Sequence, residues 1–144
     1  MNDLTSEIVD KLATYFKTQP SVAAAYLYGS YAKGSETASS DVDVAVLLQP
    51  GDQEECRKIQ DRLYLEVSRR LRKDVHMTRL ILNELELVRQ VLSTGICVCV
   101  NDPKMHSEFK NRAILEIAEF GYYRKMFQQA TIKRVMKGTT SDRS

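Results

Sequence analysis

The apolar positions of this chain change period several times, and each change marks an element. Leu4, Ile8, Leu12, Tyr15 and Phe16 recur at steps of three and four between residues 3 and 17, which predicts an amphipathic helix ended by Gln19-Pro20. Val22 to Tyr28 is small, β-branched or aromatic and free of charge, as a strand covered on both faces requires. Ser30 to Lys33 reads as a short helical turn, and residues 34–40, Gly-Ser-Glu-Thr-Ala-Ser-Ser, as a loop of turn formers. Asp41 to Leu48 then alternates as a strand, with Val42, Val44 and Val46 on one face and Asp43, Ala45 and Leu47 on the other. Asp41 and Asp43 therefore point the same way.

Pro50-Gly51-Asp52 breaks that strand, and Cys56, Ile59, Leu63, Val67 and Leu71 follow at helical spacing through a charged segment. Asp74 to Leu82 is a third strand, Asn83 a cap for a helix carrying Leu85, Val88, Val91 and Leu92, and Gly95 its stop. Ile96 to Val100 is a fourth short strand. Asp102-Pro103, a cap followed by an N1 proline, opens a helix that runs with interruptions to about Lys137. Its apolar residues (Phe109, Ile114, Leu115, Ile117, Phe120, Tyr122, Tyr123, Met126, Phe127) are too many for one face. Either the helix is well buried and bent at Gly121, or one face packs on the domain and another meets a partner. The expected architecture is α/β (α+β): a small mixed β-sheet flanked by helices with a long C-terminal helix, one domain over residues 1–138, and a disordered polar tail at 139–144.

Composition narrows the function. The 144 residues suffice for one domain with a real core. Lys and Arg (21) nearly balance Asp and Glu (19), so a formal charge of +2 supplies no broad field for nucleic acid or anionic membrane, and phosphate binding must be local. No basic leader with an apolar core and no run near ~20 apolar residues is present, which points to a soluble cytoplasmic protein with no membrane partner. No basic stripe with interleaved aromatics marks a template channel, so nucleic acid is not the expected substrate. Cys56, Cys97 and Cys99 are read as free thiols; strand alternation puts Cys97 and Cys99 on one face, buried, without the second ligand pair a zinc site needs.

The chemistry lies between two strands: Gly29-Ser30, ten residues, then Asp41-x-Asp43. Nucleotidyl transfer needs a divalent metal to neutralise charge and stabilise the leaving pyrophosphate, and Mg²⁺ prefers carboxylates together with phosphate oxygens. Asp41 and Asp43 on one strand face supply the carboxylates. Glycine lets backbone approach the phosphates, Ser30 offers a hydroxyl, Lys33 can add charge, and Ser40 closes the loop immediately before Asp41. Gly29, Ser30, Lys33 and Ser40 form the candidate nucleotide-binding set.

These residues resemble the nucleotidyltransferase superfamily that includes DNA polymerase β, in particular the minimal nucleotidyltransferases with a Gly-Ser-x10-Asp-x-Asp signature. The segment from Leu71 to Leu82 looks like the family's third strand, and Val91 to Asp102 like its glycine, hydrophobic strand and aspartate ending, so the resemblance covers roughly residues 20–130. Many such proteins are antitoxins paired with a small helical HEPN ribonuclease. The resemblance implies Mg²⁺-dependent transfer of AMP from ATP to a tyrosine hydroxyl of that toxin, and the surplus apolar residues of the C-terminal helix, 109–127, are the surface expected to meet it. Gly29 and Ser30 would bind the triphosphate, Asp41 and Asp43 the metals.

The chain departs from the family at the third carboxylate. Alignment on Val75 puts His76 where an acid is usual, while Asp74 lies two residues earlier and on the same face by alternation. Asp74 can complete the metal and catalytic set after a small register shift. His76 can act as general base or favour Mn²⁺ over Mg²⁺. Two other functions stay open: an antitoxin that neutralises its toxin by binding alone, and a nucleotidyltransferase acting on a small molecule, disfavoured by the short chain.

Overall fold

The computed structural model describes the backbone of residues 2–138 and side-chain surroundings through Gly121 and at Lys125, Met126 and Gln129. The expected tail at 139–144 lies outside the described residues, as do the side chains of Tyr122, Tyr123 and Phe127. Helix α1 (Asp3–Phe16) starts at Asn2, whose side chain accepts from Thr5 N at 2.8 Å. It buries Thr5, Ile8, Leu12, Tyr15 and Phe16. Leu4 is not part of that face: it is 40% exposed, and Thr5 takes the inward position.

Strand β1 (Val22–Tyr28) is buried along its whole length because it is central to the sheet and covered on both faces. The short helix α2 (Ser30–Lys33) leads into the loop before strand β2 (Val42–Leu48), and helix α3 (Gln53–Leu71) is capped by Asp52, which accepts from Glu55 N at 2.8 Å. Strand β3 (Val75–Arg79) is shorter than the 74–82 run read from the sequence. Helix α4 (Leu85–Thr94) starts from Glu84 without a side-chain cap rather than from Asn83, and it stops at Gly95. Strand β4 (Ile96–Val100) precedes helix α5 (Pro103–Gly138), whose cap Asp102 accepts from Met105 N at 3.1 Å.

The sheet order is β3-β2-β1-β4. Strand β1 pairs antiparallel with β2 and β4, and β2 pairs parallel with β3, so the sheet is mixed as expected. One face, with Ala25, Leu27, Val42, Val44 and Val46, packs on α1 and α3; the other, with Ala24, Tyr26, Tyr28, Ala45 and Leu47, packs on Val88 and Val91 of α4 and Ala113 of α5. Asn101 ties the layers together, donating from Nδ2 to the carbonyls of Phe16 (2.8 Å), Gln19 (3.1 Å) and Val22 (2.9 Å).

A bulge in β4 overturns one expectation. Ala25 pairs with Cys99 and Tyr26 with Cys97, so Val98 is the extra residue. Neighbours on β1 face opposite ways, and their partners Cys97 and Cys99 therefore lie on opposite faces, Cys99 buried and Cys97 exposed. All three cysteines are free. Helix α5 is not buried all round: Met105, Phe109 and Ala113 join the core, whereas Ile114 (58%), Leu115 (65%) and Phe120 (57%) are exposed.

Candidate active site

Two strand ends build the site. Tyr28, the last residue of β1, pairs with Asp43, the second residue of β2, so the chain leaving β1 passes directly over the Asp43 carboxylate. Gly29 makes that passage with φ +74° and ψ −148°, a region essentially reserved for glycine. A Cβ placed there would lie 2.2 Å from Asp43 Oδ2. Tyr31, 2% exposed and packed into the core with α1, anchors the turn from below. Ser30 is half-buried at the start of α2, and Lys33 is exposed at its end.

Asp43 keeps 25% of its side chain exposed, and burial pushes its carboxyl above the usual carboxylate range; neighbouring His76 pulls it back, and Asp41 adds to the rise. Asp41 precedes β2 and is exposed. Parallel pairing sets His76 beside Asp43, with Nδ1 3.4 Å from Oδ1. Asp74 stands one step before β3, exposed, its carbonyl accepting from Val42 N at 2.9 Å. Ser40, next to Asp41, accepts from Thr37 N at 2.8 Å through its hydroxyl oxygen, which holds the loop closed. Of the two groups offered for the third position, His76 is the one in contact with Asp43.

Among the described residues no three His, Cys, Asp or Glu side chains converge on a point that would hold a metal ion by themselves. Asp41 and Asp43 nonetheless fit Mg²⁺, which takes one or two carboxylates and completes its shell with substrate phosphates and water. The site has a floor that sequence reading missed. Tyr28 lies on the Asp43 face, 6% exposed, with its hydroxyl 3.0 Å from Thr78 Oγ1 on β3, and burial raises its pKa. Only the register of three strands brings these two residues together. No helix among the described residues is long and apolar enough to cross a membrane.

The sequence model of the family described as "Polymerase beta, Nucleotidyltransferase" matches residues 10–104, well over half of the chain and all of the site. The chain belongs to the polymerase beta nucleotidyltransferase family. No curated protein sequence matches it. Among solved structures, this nucleotidyltransferase is similar to a chain of a toxin–antitoxin complex with AMP-PNP, with 23% identity, TM-score 0.62, and 89% of this chain and 98% of that one covered. It is also similar to a chain in the tri-AMPylated Shewanella oneidensis HEPN toxin in complex with MNT antitoxin, with 21% identity, TM-score 0.57, and coverage of 92% and 98%. A third is a chain of the toxin–antitoxin MntA-HepT, with 21% identity, TM-score 0.56, and coverage of 91% and 98%. At these identities the likeness is one of fold.

Proposed function

We propose that this nucleotidyltransferase is the antitoxin of a HEPN toxin pair and transfers AMP from ATP to a tyrosine hydroxyl of the toxin. The observation that carries the reading is Gly29 seated against Asp43, with Asp41 two residues away, in a chain of this family. That AMP-PNP and a tri-AMPylated toxin accompany structures of the same fold supports the choice of donor and acceptor. Asp41 and Asp43 would hold Mg²⁺, with Asp74 the reserve carboxylate; the ion would supply charge neutralisation at the triphosphate and a lowered barrier for loss of pyrophosphate. Gly29 leaves room for phosphate at the strand tip, and Ser30, Lys33 and Ser40 surround it with a hydroxyl, a cation and a second hydroxyl. His76, at the side of Asp43, is placed to take the acceptor's proton. The exposed Ile114, Leu115 and Phe120 are the surface offered to the toxin.

The test is to incubate the protein with ATP, Mg²⁺ and the product of the neighbouring gene and to weigh both chains. The partner should gain whole increments of AMP. A complex that forms and gains no mass would remove the transferase reading.

One observation favours a second function: the side chain set beside Asp43 by the β2–β3 pairing is the imidazole of His76 and not a third carboxylate, as it would be in a protein that neutralises its toxin by binding after losing catalysis. Asp41→Ala/Asp43→Ala separates the two, since full protection of cells by the double variant means that binding suffices.

A further inference from the structure

The loop between Ser30 and Asp41 is tied to α1 through the side chain of Glu36. Residues 34, 35 and 37–39 are exposed, whereas Glu36 is half-buried and turned toward the amino end of that helix. Its Oε1 accepts from Asn2 Nδ2 at 2.6 Å and from Thr5 Oγ1 at 3.1 Å. Asn2 uses both ends of its amide: Oδ1 caps α1 by accepting from Thr5 N, and Nδ2 reaches the loop. Thr5 is 2% exposed, so the hydroxyl that takes the inward place on α1 is satisfied by Glu36. A carboxylate at a helix amino end also carries the favourable sign of charge.

The place of Glu36 in the loop gives these bonds their consequence. On one side Ser35 N donates to Ser30 O at 2.9 Å, closing a turn onto Ser30. On the other, Ser40 N donates to Thr37 O at 3.1 Å and Thr37 N to Ser40 Oγ at 2.8 Å, closing a second turn immediately before Asp41. Glu36 lies between the two. Each turn fixes the loop only to itself, and the bonds to Asn2 and Thr5 refer it to α1, which Ile8, Leu12 and Phe16 hold in the core.

We propose that Glu36 is a positioning residue for the nucleotide site: by holding residues 34–40 on α1 it keeps Ser40 and Asp41 where the metal-bound triphosphate meets them. The proposal rests on the nucleotide and metal roles given to those two residues above, and Glu36 acts through them rather than on the nucleotide itself. A loop already ordered loses little freedom when the ligand arrives, whereas one released from α1 must be ordered during binding, which weakens affinity. Loss of the anchor therefore impairs binding more than it slows chemistry.

The test compares Glu36→Ala, which removes the acceptor, with Glu36→Gln, whose amide oxygen can accept both bonds, and Thr5→Val, which removes one donor at nearly constant shape. In the full chain without metal or nucleotide, hydrogen exchange at the Ser40 amide should quicken about tenfold in Glu36→Ala, the scale of one charge-assisted hydrogen bond, and stay near the parent rate in Glu36→Gln. The Leu80 amide, bonded to Val46 O at 2.8 Å, is the reference that should not move. Equal exchange at Ser40 in the alanine variant overturns the anchor. Calorimetric titration of AMP-PNP with Mg²⁺ should show about tenfold weaker binding to Glu36→Ala, recovery in Glu36→Gln, and no further loss when Thr5→Val is added to Glu36→Ala. With ATP and the partner, KM should rise by a like factor while kcat stays within about twofold, the signature of lost binding and not of a lost catalytic group. A lower urea midpoint with unchanged AMP-PNP affinity would make Glu36 merely structural and overturn the proposal. If the unaltered protein binds no AMP-PNP, the parent reading fails and takes the role in transfer with it, while exchange at Ser40 separately decides whether Glu36 orders the loop.

Discussion

Gly29 and Asp43 are packed so closely across the end of the β1–β2 ladder that a methyl group on residue 29 would stand 2.2 Å from the Asp43 carboxylate oxygen. A Gly29→Ala variant must therefore move either the turn or the carboxylate, and it carries the strain of φ +74° and ψ −148° as well. A backbone penalty of about 1–3 kcal/mol is expected in the urea midpoint. Displacement of Asp43 by about 1 Å should cost on the order of 10²-fold in nucleotidyl transfer. Gly34→Ala is the control: it also has φ +74°, but a Cβ there meets nothing within 4 Å, so it should lose stability with little loss of activity.

His76 lies 3.4 Å from Asp43, across the parallel β2–β3 pairing. Replacing it with aspartate, His76→Asp, adds a carboxylate beside Asp41 and Asp43. If the pair alone limits metal binding, initial rates against Mg²⁺ concentration should half-saturate at least several-fold lower, and any advantage of Mn²⁺ over Mg²⁺ should shrink because imidazole is exchanged for oxygen. No shift in either quantity would place His76 outside the metal site.

Leu115 is 65% exposed on α5, past the point where Ala113 closes the core. Leu115→Glu should leave the unfolding midpoint within about 0.5 kcal/mol of the parent, because an exposed side chain loses little on substitution. Partner affinity should fall more than tenfold, about 1.4 kcal/mol, in a calorimetric titration. Unaltered affinity there and at Ile114→Glu would exclude this stretch of the helix as the docking surface.

His106, in the first turn of α5, is 7% exposed and faces the sheet, with Nε2 2.6 Å from the Tyr26 hydroxyl on β1. Burial first and the nearby Lys110 second hold its pKa below the ordinary value of 6.5. The unfolded chain therefore takes up this proton before the folded one does, and the contribution is complete above about pH 6.5 and lost as pH falls through the folded-state pKa. Urea midpoints should decline between pH 7.5 and 5, and His106→Gln, which keeps a polar neighbour for Tyr26 without titrating, should flatten that decline.

Much of the protein was legible in residue order because local rules govern it. Alternation in Val42–Leu48, the uncharged run of Val22–Tyr28 and the spacing of Cys56, Leu63, Val67 and Leu71 each report a face that must be buried, and each formed where the pattern placed it. The Gly-Ser turn and the two aspartates were legible for the same reason, being close in sequence on adjoining strand ends. Some misreadings sit at helix starts, where Thr5 takes the inward place read for Leu4 and α4 begins from Glu84 and not Asn83; the one that matters for chemistry comes where pairing across the sheet overrides the local period. A bulge at Val98 turns Cys97 and Cys99 to opposite faces, and nothing in Ile-Cys-Val-Cys-Val announces it.

What residue order determined by itself is a polymerase beta type turn and a pair of carboxylates on a mixed sheet. Tertiary structure alone decided that His76, thirty-three residues on from Asp43 in the chain, and not Asp74 stands at its side, that Tyr28 and Thr78 floor the site, and that Ser40, Ser68, Arg72 and Lys73 share one cavity. The physical reason is register. Parallel pairing of β2 with β3 joins segments separated by the whole of α3, and only the packing of that helix on the sheet selects which residue faces which.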